Sequence, residues 1–232
     1  MNITIIYLAA GNSRRFGSNK LFFEIDGKAM YRHLLERLIS VCGRHEGWRI
    51  RVVSQYPELL EAVRGLREEA GKLEEGTGEK PEKEIPVEGV YSPESGKGAS
   101  HSVRAGLRRN AEFSRLADPS GSTAHSGRRV HEPVKADAYA FFVADQPWLS
   151  EETAEAFLSE MERRKAPLGS VCFDGQPGNP TWFSGEFLPE LLELTGDKGG
   201  RAVLRRHENL IHWFEVKEKR ELMDLDLPDQ VI

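Results

Sequence analysis

Strand-like and helix-like segments alternate along most of this chain, and no other feature of the sequence limits the fold as much. In the helix-like segments, apolar residues return every three or four positions, as Met30, Leu34, Leu38 and Val41 do. Alternation of this kind is typical of a mostly parallel sheet with helices packed on both faces. The sequence therefore predicts a layered α/β fold. The expected strands are residues 2–8, 49–54, 87–91, 138–144 and 211–216.

Length and composition narrow the class of protein. The 232 residues suffice for one sizeable α/β domain but hardly for two, so we expect one domain over residues 1–232. The net charge of −5 predicts no general basic surface for nucleic acid. Cys42 and Cys172 lack metal-ligand spacing and indicate reduced thiols. Because the chain also has no membrane-length apolar run and no signal-peptide pattern, we expect a cytoplasmic protein that binds no membrane.

Two segments interrupt the alternation. Residues 71–84 are charged and almost free of apolar side chains. Residues 114–136 are rich in Ser, Gly, His and Arg and show no periodicity. Segments of this composition cannot build a core of their own, so we expect both to be surface insertions without regular structure.

The most informative motif is the stretch from Leu8 to Lys20, L-A-A-G-N-S-R-R-F-G-S-N-K, which follows the first predicted strand. Two glycines bracket a turn there, and Arg14, Arg15 and Lys20 add three positive charges. Backbone N–H groups of such a turn can face an anion, and the cations neutralise phosphate charge. The spacing matches neither the P-loop nor the dinucleotide fingerprint. The loop predicts a polyphosphate site, with a solvated basic turn as the alternative.

A carboxylate at the end of a predicted strand is the second signal. Asp145 directly follows the apolar strand 138–144, and Pro147 ends that strand. Ligands of α/β sheets bind beyond the carboxyl ends of the strands. Mg²⁺ is usually held by one or two carboxylates, with waters and phosphates completing its shell. Asp145 is therefore a candidate magnesium ligand, and a carboxylate that merely caps a turn is the alternative.

An acidic segment near the C-terminus offers further carboxylates. Alternation along an extended chain puts Asp224 and Asp226 on one face of the stretch 223–229. Either side chain could reach a metal ion from a neighbouring element. The alternative is an exposed acidic tail.

A predicted helix near residue 99 places polar groups at its start. We expect Ala99, Val103 and Leu107 to form its buried face. Ser100 and Ser102 would then offer hydroxyl and backbone N–H groups to a base or a phosphate.

Two glycine-containing turns complete the candidate motifs. They span residues 178–180, G-N-P, and residues 195–201, T-G-D-K-G-G-R. Their glycines permit close approach of the backbone to a ligand. Plain turn chemistry is the alternative interpretation for both.

Taken together, these motifs resemble one family, the molybdenum cofactor nucleotidylyltransferases, and in particular the cytidylyltransferase branch of the MobA-like NTP transferases. The first loop, the serine pair, D-Q-P, G-x-P, G-D-x-G-x-R and D-x-D-x-P follow the family's order over residues 3–229. Related guanylyltransferases favour L-x-G-G in the first loop, and A-A-G points away from them. The terminal motif departs from the usual P-E-D because it reads Pro228-Asp229-Gln230. The resemblance implies a three-layer, Rossmann-like nucleotidyltransferase fold of the GT-A-like type.

The resemblance also implies a role for each motif residue. Arg15, Lys20 and Asp145 are implied to be catalytic, the two cations on the phosphates and Asp145 on Mg²⁺. Asp224 is the implied second metal ligand, with Asp226 as the alternative. The residues implied to bind the nucleotide are Leu8, Ala9, Ala10, Gly11, Arg15, Lys20, Ser100 and Ser102. Those implied to face a pterin-phosphate substrate are Gly178, Asn179, Pro180, Asp197, Gly199 and Arg201.

The implied reaction transfers a nucleotidyl group from a nucleoside triphosphate to the terminal phosphate of a molybdopterin-type cofactor and releases pyrophosphate. CTP is the implied donor, with ATP and GTP as alternatives, and Mg²⁺ is the implied cofactor. A molybdenum hydroxylase or its chaperone is the implied protein partner. Two other interpretations stay open: a nucleotidylyltransferase that acts on a sugar phosphate or an alcohol phosphate, and a non-catalytic cofactor carrier.

Overall fold

A seven-stranded mixed sheet forms the centre of the computed structural model, which describes residues 1–11, 19–75, 87–108 and 132–226. The strands are β1 (Ile3–Leu8), β2 (Glu24–Ile25), β3 (Lys28–Ala29), β4 (Trp48–Ser54), β5 (Val87–Tyr91), β6 (Ala138–Val143), β7 (Leu168–Phe173), β8 (Gln176–Ser184) and β9 (Ile211–Glu215). Their order in the large sheet is β5–β4–β1–β6–β8–β7–β9, and β2 pairs only with β3. Strand β8 is antiparallel to both of its neighbours, whereas the other neighbouring strands of the large sheet are parallel.

Strand β1 occupies the middle of the parallel half because its side chains are apolar on both faces. Ile5 and Tyr7 pack into the core on one face of the sheet, and Ile6 packs into the core on the other. A strand that is buried on both faces forms a continuous apolar run. Parallel pairing with β6 brings Leu8 level with Val143, so the carboxyl ends of these strands meet at one edge.

Helices cover both faces of the sheet. The helices of the described residues are α1 (Met30–Arg44), α2 (Pro57–Glu75), α3 (Ala99–Leu107), α4 (Glu151–Arg164), α5 (Leu188–Leu192) and α6 (Arg201–Arg206). Apolar side chains of α1, α2 and α4 join the core on one face, and those of α3, α5 and α6 join the core on the other. This arrangement confirms the predicted three-layer α/β fold. In the described parts of the chain, no helix is both long and apolar enough to cross a bilayer.

The five predicted strands of the large sheet are confirmed to within one residue at each end, but β7 and β8 were not predicted. Strand β8 contains Pro177, Gly178 and Pro180, residue types that usually indicate a turn. Asp174 and Gly175 join the two strands, and both have positive φ, as in a two-residue hairpin turn. A polar, proline-containing strand is tolerated here because tertiary pairing on both sides outweighs local propensity.

The structure also corrects the predicted insertions. Helix α2 continues to Glu75, so the expectation of an irregular loop is wrong for residues 71–75. This stretch contains Lys, Leu and Glu, which are good helix formers. At the end of the segment 114–136, Val134 is buried and Pro133 pairs with Arg108, so these residues belong to the packed structure. Residues 76–84 and 114–131 lie outside the described residues.

Candidate active site

A cleft of about 560 Å³ opens at the carboxyl edge of the sheet, between the end of β1, the end of β6 and the start of α3. This is where α/β sheets place their ligands. Of the residues singled out in the sequence, those that line the cleft are Leu8, Ala10, Gly11, Lys20, Ser102, Asp145 and Asp197. Residues 12–18, which include Arg15, lie outside the described residues. The structure thus gathers one end of the first loop, the D-Q-P motif and one glycine-containing turn around a single cavity.

Lys20 is the most deeply placed charged group of the cleft. It begins a short 3-10 helix, Lys20–Phe22, whose preceding residue Asn19 accepts a hydrogen bond from the Leu21 backbone N–H. The Lys20 ammonium donates to Asp145 Oδ2 at 2.8 Å, to Asp226 Oδ1 at 3.0 Å and to the Leu225 carbonyl at 3.2 Å. Burial of this group acts to lower its pKa, but the two carboxylates outweigh burial and raise it. The group is therefore a fixed cation at neutral pH.

The terminal segment is docked against the end of β6. The Leu225 N–H donates to the Asp145 carbonyl at 2.8 Å, and the Leu225 side chain is fully buried against Ile25 and Met30. Farther back, the buried Glu221 accepts hydrogen bonds from groups in the first turn of α4. Residues 223–226 are therefore anchored at Leu225 rather than forming a detached acidic tail, although Met223, Asp224 and Asp226 themselves are exposed. Residues 227–229 lie outside the described residues.

The two aspartates of this segment have different partners. Asp226 reaches Lys20, whereas Asp224 accepts a hydrogen bond from Gln146 Nε2 at 2.9 Å. Although residue Asp224 is exposed overall, burial of its carboxyl group and the negative charge of Asp145 raise the pKa of that group. Asp145 thus lies between the lysine on one side and the Asp224 carboxylate on the other.

The donor set fits a hard divalent cation. The negative charge of Asp145 helps to raise the pKa of Asp224 across this edge, and carboxylate oxygens are preferred ligands of Mg²⁺. Within the described residues, no group of three or more His, Cys, Asp or Glu side chains forms a complete metal site. Mg²⁺ needs only one or two carboxylates, because waters and substrate phosphates complete its octahedron. Asp145 and Asp224 could therefore hold Mg²⁺ only together with waters and a phosphate ligand.

Two side chains that follow β4 hold the first loop, and the sequence reasoning missed them. Gln55 Nε2 donates to the Ala10 carbonyl at 2.8 Å, and the Tyr56 hydroxyl donates to the Gly11 carbonyl at 3.0 Å. Ala9 is fully buried, and its N–H donates to Val53. Gln55 and Tyr56 follow directly after a predicted strand that neighbours β1. That position could have identified them as candidate site residues.

The start of α3 differs from the prediction in one respect. Ala99 is exposed and lines the cleft, so its assignment to the buried face is wrong. Ser100 is fully buried instead, and its hydroxyl oxygen has no hydrogen-bond partner among the described residues. Ser102 does line the cleft, and its hydroxyl donates to Ser95 Oγ at 2.8 Å. Gly98 is the residue before the first turn of α3, and Val103 and Leu107 are buried as expected.

The turn 195–201 packs closely against Gly98 at the edge of the cleft. The φ of Gly98 is +135°, and a Cβ atom built there would lie 2.5 Å from the Gly196 carbonyl oxygen, so only glycine fits. The Ser100 N–H donates to the same carbonyl at 3.1 Å. This close approach brings Asp197 to the wall of the cleft, and Gly199 lies beside Ala99.

The remaining predicted substrate residues lie elsewhere. A second cavity of about 360 Å³ is lined by Gly178, Arg201, Gln146 and Asp224. Pro180 is buried after a cis peptide bond, and Asn179 is half-buried. The structure therefore divides the predicted substrate residues between two cavities on either side of Asp145-Gln146.

Both a family model and a curated relative match this chain. The family model described as a MobA-like NTP transferase domain matches residues 5–210. The purine catabolism protein PucB of Bacillus subtilis (strain 168) is 27% identical over 226 residues, which cover 97% of this chain and 92% of PucB.

Solved structures share the fold at low identity. Rv0371c from Mycobacterium tuberculosis H37Rv is 20% identical, with a TM-score of 0.63 over 99% of this chain and 95% of Rv0371c. A structure of Rv0371c in complex with manganese has 16% identity and a TM-score of 0.55 over 94% and 90% of the two chains. CMP:2-keto-3-deoxy-manno-octonic acid synthetase complexed with CTP has 15% identity and a TM-score of 0.60 over 100% and 95%. Molybdopterin-guanine dinucleotide biosynthesis protein A from Archaeoglobus fulgidus has 16% identity and a TM-score of 0.55 over 98% and 94%.

Proposed function

This chain belongs to the family of MobA-like NTP transferase domains, and from this premise we propose that it transfers CMP from CTP to the terminal phosphate of a molybdopterin-type molybdenum cofactor. Pyrophosphate is the second product. The ordered motifs that the chain shares with the cytidylyltransferase branch support this choice of donor and acceptor. A similar fold in a synthetase that was solved with CTP also supports a cytidine donor.

One observation carries the proposal: the Lys20 ammonium is buried at the base of the cleft between the carboxylates of Asp145 and Asp226. A cation that is removed from bulk water acts more strongly on a nearby phosphate. Because its partners already hold it in place, it stabilises developing negative charge without first reorganising. We assign Lys20 to the α-phosphate and the departing pyrophosphate, together with Arg15 of the first loop.

The reaction itself requires little acid–base chemistry. An oxygen of the acceptor's terminal phosphate forms a bond to the α-phosphorus of CTP, and the bond from that phosphorus to the bridging oxygen of the β-phosphate breaks. The attacking phosphate is already anionic at neutral pH, so no side chain has to remove a proton. The main difficulty is to bring two polyanions together, which positioning and electrostatics can achieve.

Asp145 and Asp224 would hold Mg²⁺, with Asp226 as the alternative to Asp224. When bound, the ion supplies positive charge that neutralises the triphosphate. The manganese complex of Rv0371c supports a divalent ion in a protein of this fold. The Asp145 carboxylate would also orient the Lys20 ammonium, with which it forms an ion pair.

The other assignments complete the proposal. Backbone groups of residues 8–11 would cradle the nucleotide, with Ser100 and Ser102 near the base or the phosphates. Gly178 of β8 and Arg201 at the start of α6 would face the acceptor. We place the reaction in the cytoplasm, where a molybdenum hydroxylase or its chaperone would receive the product.

The experiment is a pyrophosphate-release assay with Mg²⁺ and each of CTP, ATP and GTP, with and without molybdenum cofactor. Asp145→Asn serves as the inactive control. We expect release that requires the cofactor and is fastest with CTP. Cofactor-dependent release with another nucleotide would change the donor, and release that requires a sugar phosphate or an alcohol phosphate would change the acceptor. Tight nucleotide binding without release for any acceptor would contradict transfer and favour a carrier.

A further inference from the structure

The side-chain amide of Gln146, the residue after Asp145, joins the end of β6 to the terminal segment. Gln146 is only 2% exposed. Its Nε2 donates to Asp224 Oδ1 at 2.9 Å and to the Leu222 carbonyl at 3.2 Å. An amide nitrogen has two N–H groups, so both donors are used on the segment that carries the second candidate metal ligand.

The oxygen of the same amide has no partner. Gln146 Oε1 is buried, and within the described residues no group donates a hydrogen bond to it. A buried acceptor without a donor destabilises the fold and therefore requires an explanation. The opposite orientation of the amide would place Oε1 against Asp224 Oδ1 and the Leu222 carbonyl, which are both acceptors. The amide is thus fixed in the orientation that holds Asp224, although its own oxygen stays unsatisfied.

The three aspartates at this edge differ in their charge partners. Asp145 and Asp226 share the Lys20 ammonium, at 2.8 and 3.0 Å. Asp224 forms no ion pair with a described residue, and its Oδ2 accepts no hydrogen bond from one. Two carboxylates and one ammonium leave a single negative charge, and the Asp224 carboxylate raises it to two, which matches a divalent cation. Asp224 therefore has both the charge and the free oxygen that a metal ligand needs.

We propose that Gln146 is a positioning residue, which orients the Asp224 carboxylate toward Mg²⁺ and thereby makes Asp224 rather than Asp226 the second metal ligand. The inference rests on the metal site of the proposed function, and it adds a residue that does not itself touch the ion. Hydrogen bonds from neighbouring groups commonly orient metal ligands. A carboxylate that is already oriented loses less conformational freedom when it binds a cation.

The experiment measures by calorimetry how tightly the full chain binds inorganic triphosphate in Mg²⁺ and in EDTA. This probe has neither a base nor an acceptor group, so the result does not depend on which nucleotide is the donor. We call the Kd in EDTA divided by the Kd in Mg²⁺ the Mg²⁺ ratio. Gln146→Met keeps the length of the side chain but removes both N–H donors.

We expect Gln146→Met to lower the Mg²⁺ ratio about tenfold or more, the usual effect of losing a group that orients a metal ligand. The Kd in EDTA should stay unchanged, because the phosphate-binding cation Lys20 does not contact Gln146. The Tm should change by less than about 4 °C, because loss of the unsatisfied oxygen offsets the lost hydrogen bonds. A second apolar variant, Gln146→Leu, should behave in the same way.

Gln176→Met is the matched control. Gln176 lines the same second cavity, but it is exposed and its side chain forms no hydrogen bond with a described residue. The same substitution there should leave the Mg²⁺ ratio unchanged.

A double-mutant cycle shows whether Gln146 acts through Asp224. In a chain that already carries Asp224→Asn, Gln146→Met should lower the Mg²⁺ ratio no further, whereas in a chain that carries Asp226→Asn it should still lower it. An equal fall in the Asp224→Asn chain, an equal loss of binding in EDTA and in Mg²⁺, or an original chain without Mg²⁺ dependence would overturn the inference. A failure of the proposed function has a different signature: the Mg²⁺ ratio still depends on Gln146, but no cofactor-dependent pyrophosphate is released.

Discussion

The nucleotide cleft and the acceptor groove lie on two sides of Asp145, and their charged side chains differ in burial and in pairing. The acceptor groove is the second cavity together with an adjoining cavity of about 660 Å³, which shares Arg201 with it and extends to Trp213. In the cleft, the Lys20 ammonium is buried and has three hydrogen-bond acceptors. In the groove, Arg201 and Arg205 have no ion pair within the described residues, and the indole of Trp213 is exposed. A buried charge that is already held in place can act directly on the reacting groups, whereas an exposed side chain can be replaced with little effect on the fold. We therefore expect substitutions in the cleft to impair the chemical step and substitutions of these three groove side chains to impair only acceptor binding.

The largest effect is expected from Asp145→Asn. The change removes a metal ligand and the charge that faces Lys20 but keeps the shape of the side chain, so Mg²⁺-dependent pyrophosphate release should fall at least about 1,000-fold. The unfolding free energy should change by no more than about 1 kcal/mol, because Lys20 keeps Asp226 and the Leu225 carbonyl. Pyrophosphate assays and thermal melts check the two expectations. A collapse in stability would indicate a structural role instead.

Lys20→Ala should have the next largest effect. Loss of a preorganised charge at the reacting phosphate should lower kcat about 100- to 1,000-fold and change the KM for CTP much less. Steady-state kinetics provide the measurement. A raised KM with an unchanged kcat would contradict a role in the transition state.

Glu221→Gln tests what the cleft and the groove share, because the terminal segment brings Asp226 to the cleft and Asp224 to the groove. The buried Glu221 carboxylate accepts hydrogen bonds from the Ser150 N–H and the Thr153 hydroxyl, each at 3.0 Å, at the N-terminus of α4. The amide can still accept from the Ser150 N–H and donate to the Thr153 hydroxyl, but the negative charge at the N-terminus of α4 is lost, which should cost about 0.3–1 kcal/mol of unfolding free energy. Denaturant unfolding measures this cost. The exposed Glu218→Gln is the control, and equal stabilities of the two variants would contradict the anchoring role.

The smallest effect is expected from Lys97→Ala, which refines the comparison within the cleft itself. Lys97 also lines the cleft, but its side chain is 65% exposed and paired with Glu94. An exposed cation is screened by solvent, so kcat should fall no more than about threefold. A loss as large as that of Lys20→Ala would show that burial does not distinguish the two lysines.

The parallel half of the sheet could be predicted because its central strands β1 and β6 are buried on both faces and are therefore almost entirely apolar. The hairpin β7–β8 could not be predicted in this way. Pro177, Gly178 and Pro180 resemble a turn, and only the pairing of β8 with β6 and β7 makes them a strand. The D-G turn at Asp174-Gly175 was the one local signal of that hairpin.

The candidate site was predictable where a residue directly follows a strand, as Asp145 does, and much less where distant segments meet. The contact of Lys20 with Asp226 joins residues 206 positions apart in the chain. The close approach of Gly98 to Gly196 joins residues 98 positions apart, and no local pattern marks it. No local motif marks Trp213 and Arg205 as site residues. Only the packing of α6 beside β7 and β9 brings them into one cavity.

The most direct test of the account follows the α-phosphate itself. The full chain is incubated with Mg²⁺, molybdenum cofactor and CTP that is labelled at either the α- or the γ-phosphate. The account predicts that the α-label is recovered on the cofactor and the γ-label in pyrophosphate, in equal amounts. An α-label that stays in CTP or appears only as free CMP, or a γ-label on the cofactor, would contradict nucleotidyl transfer.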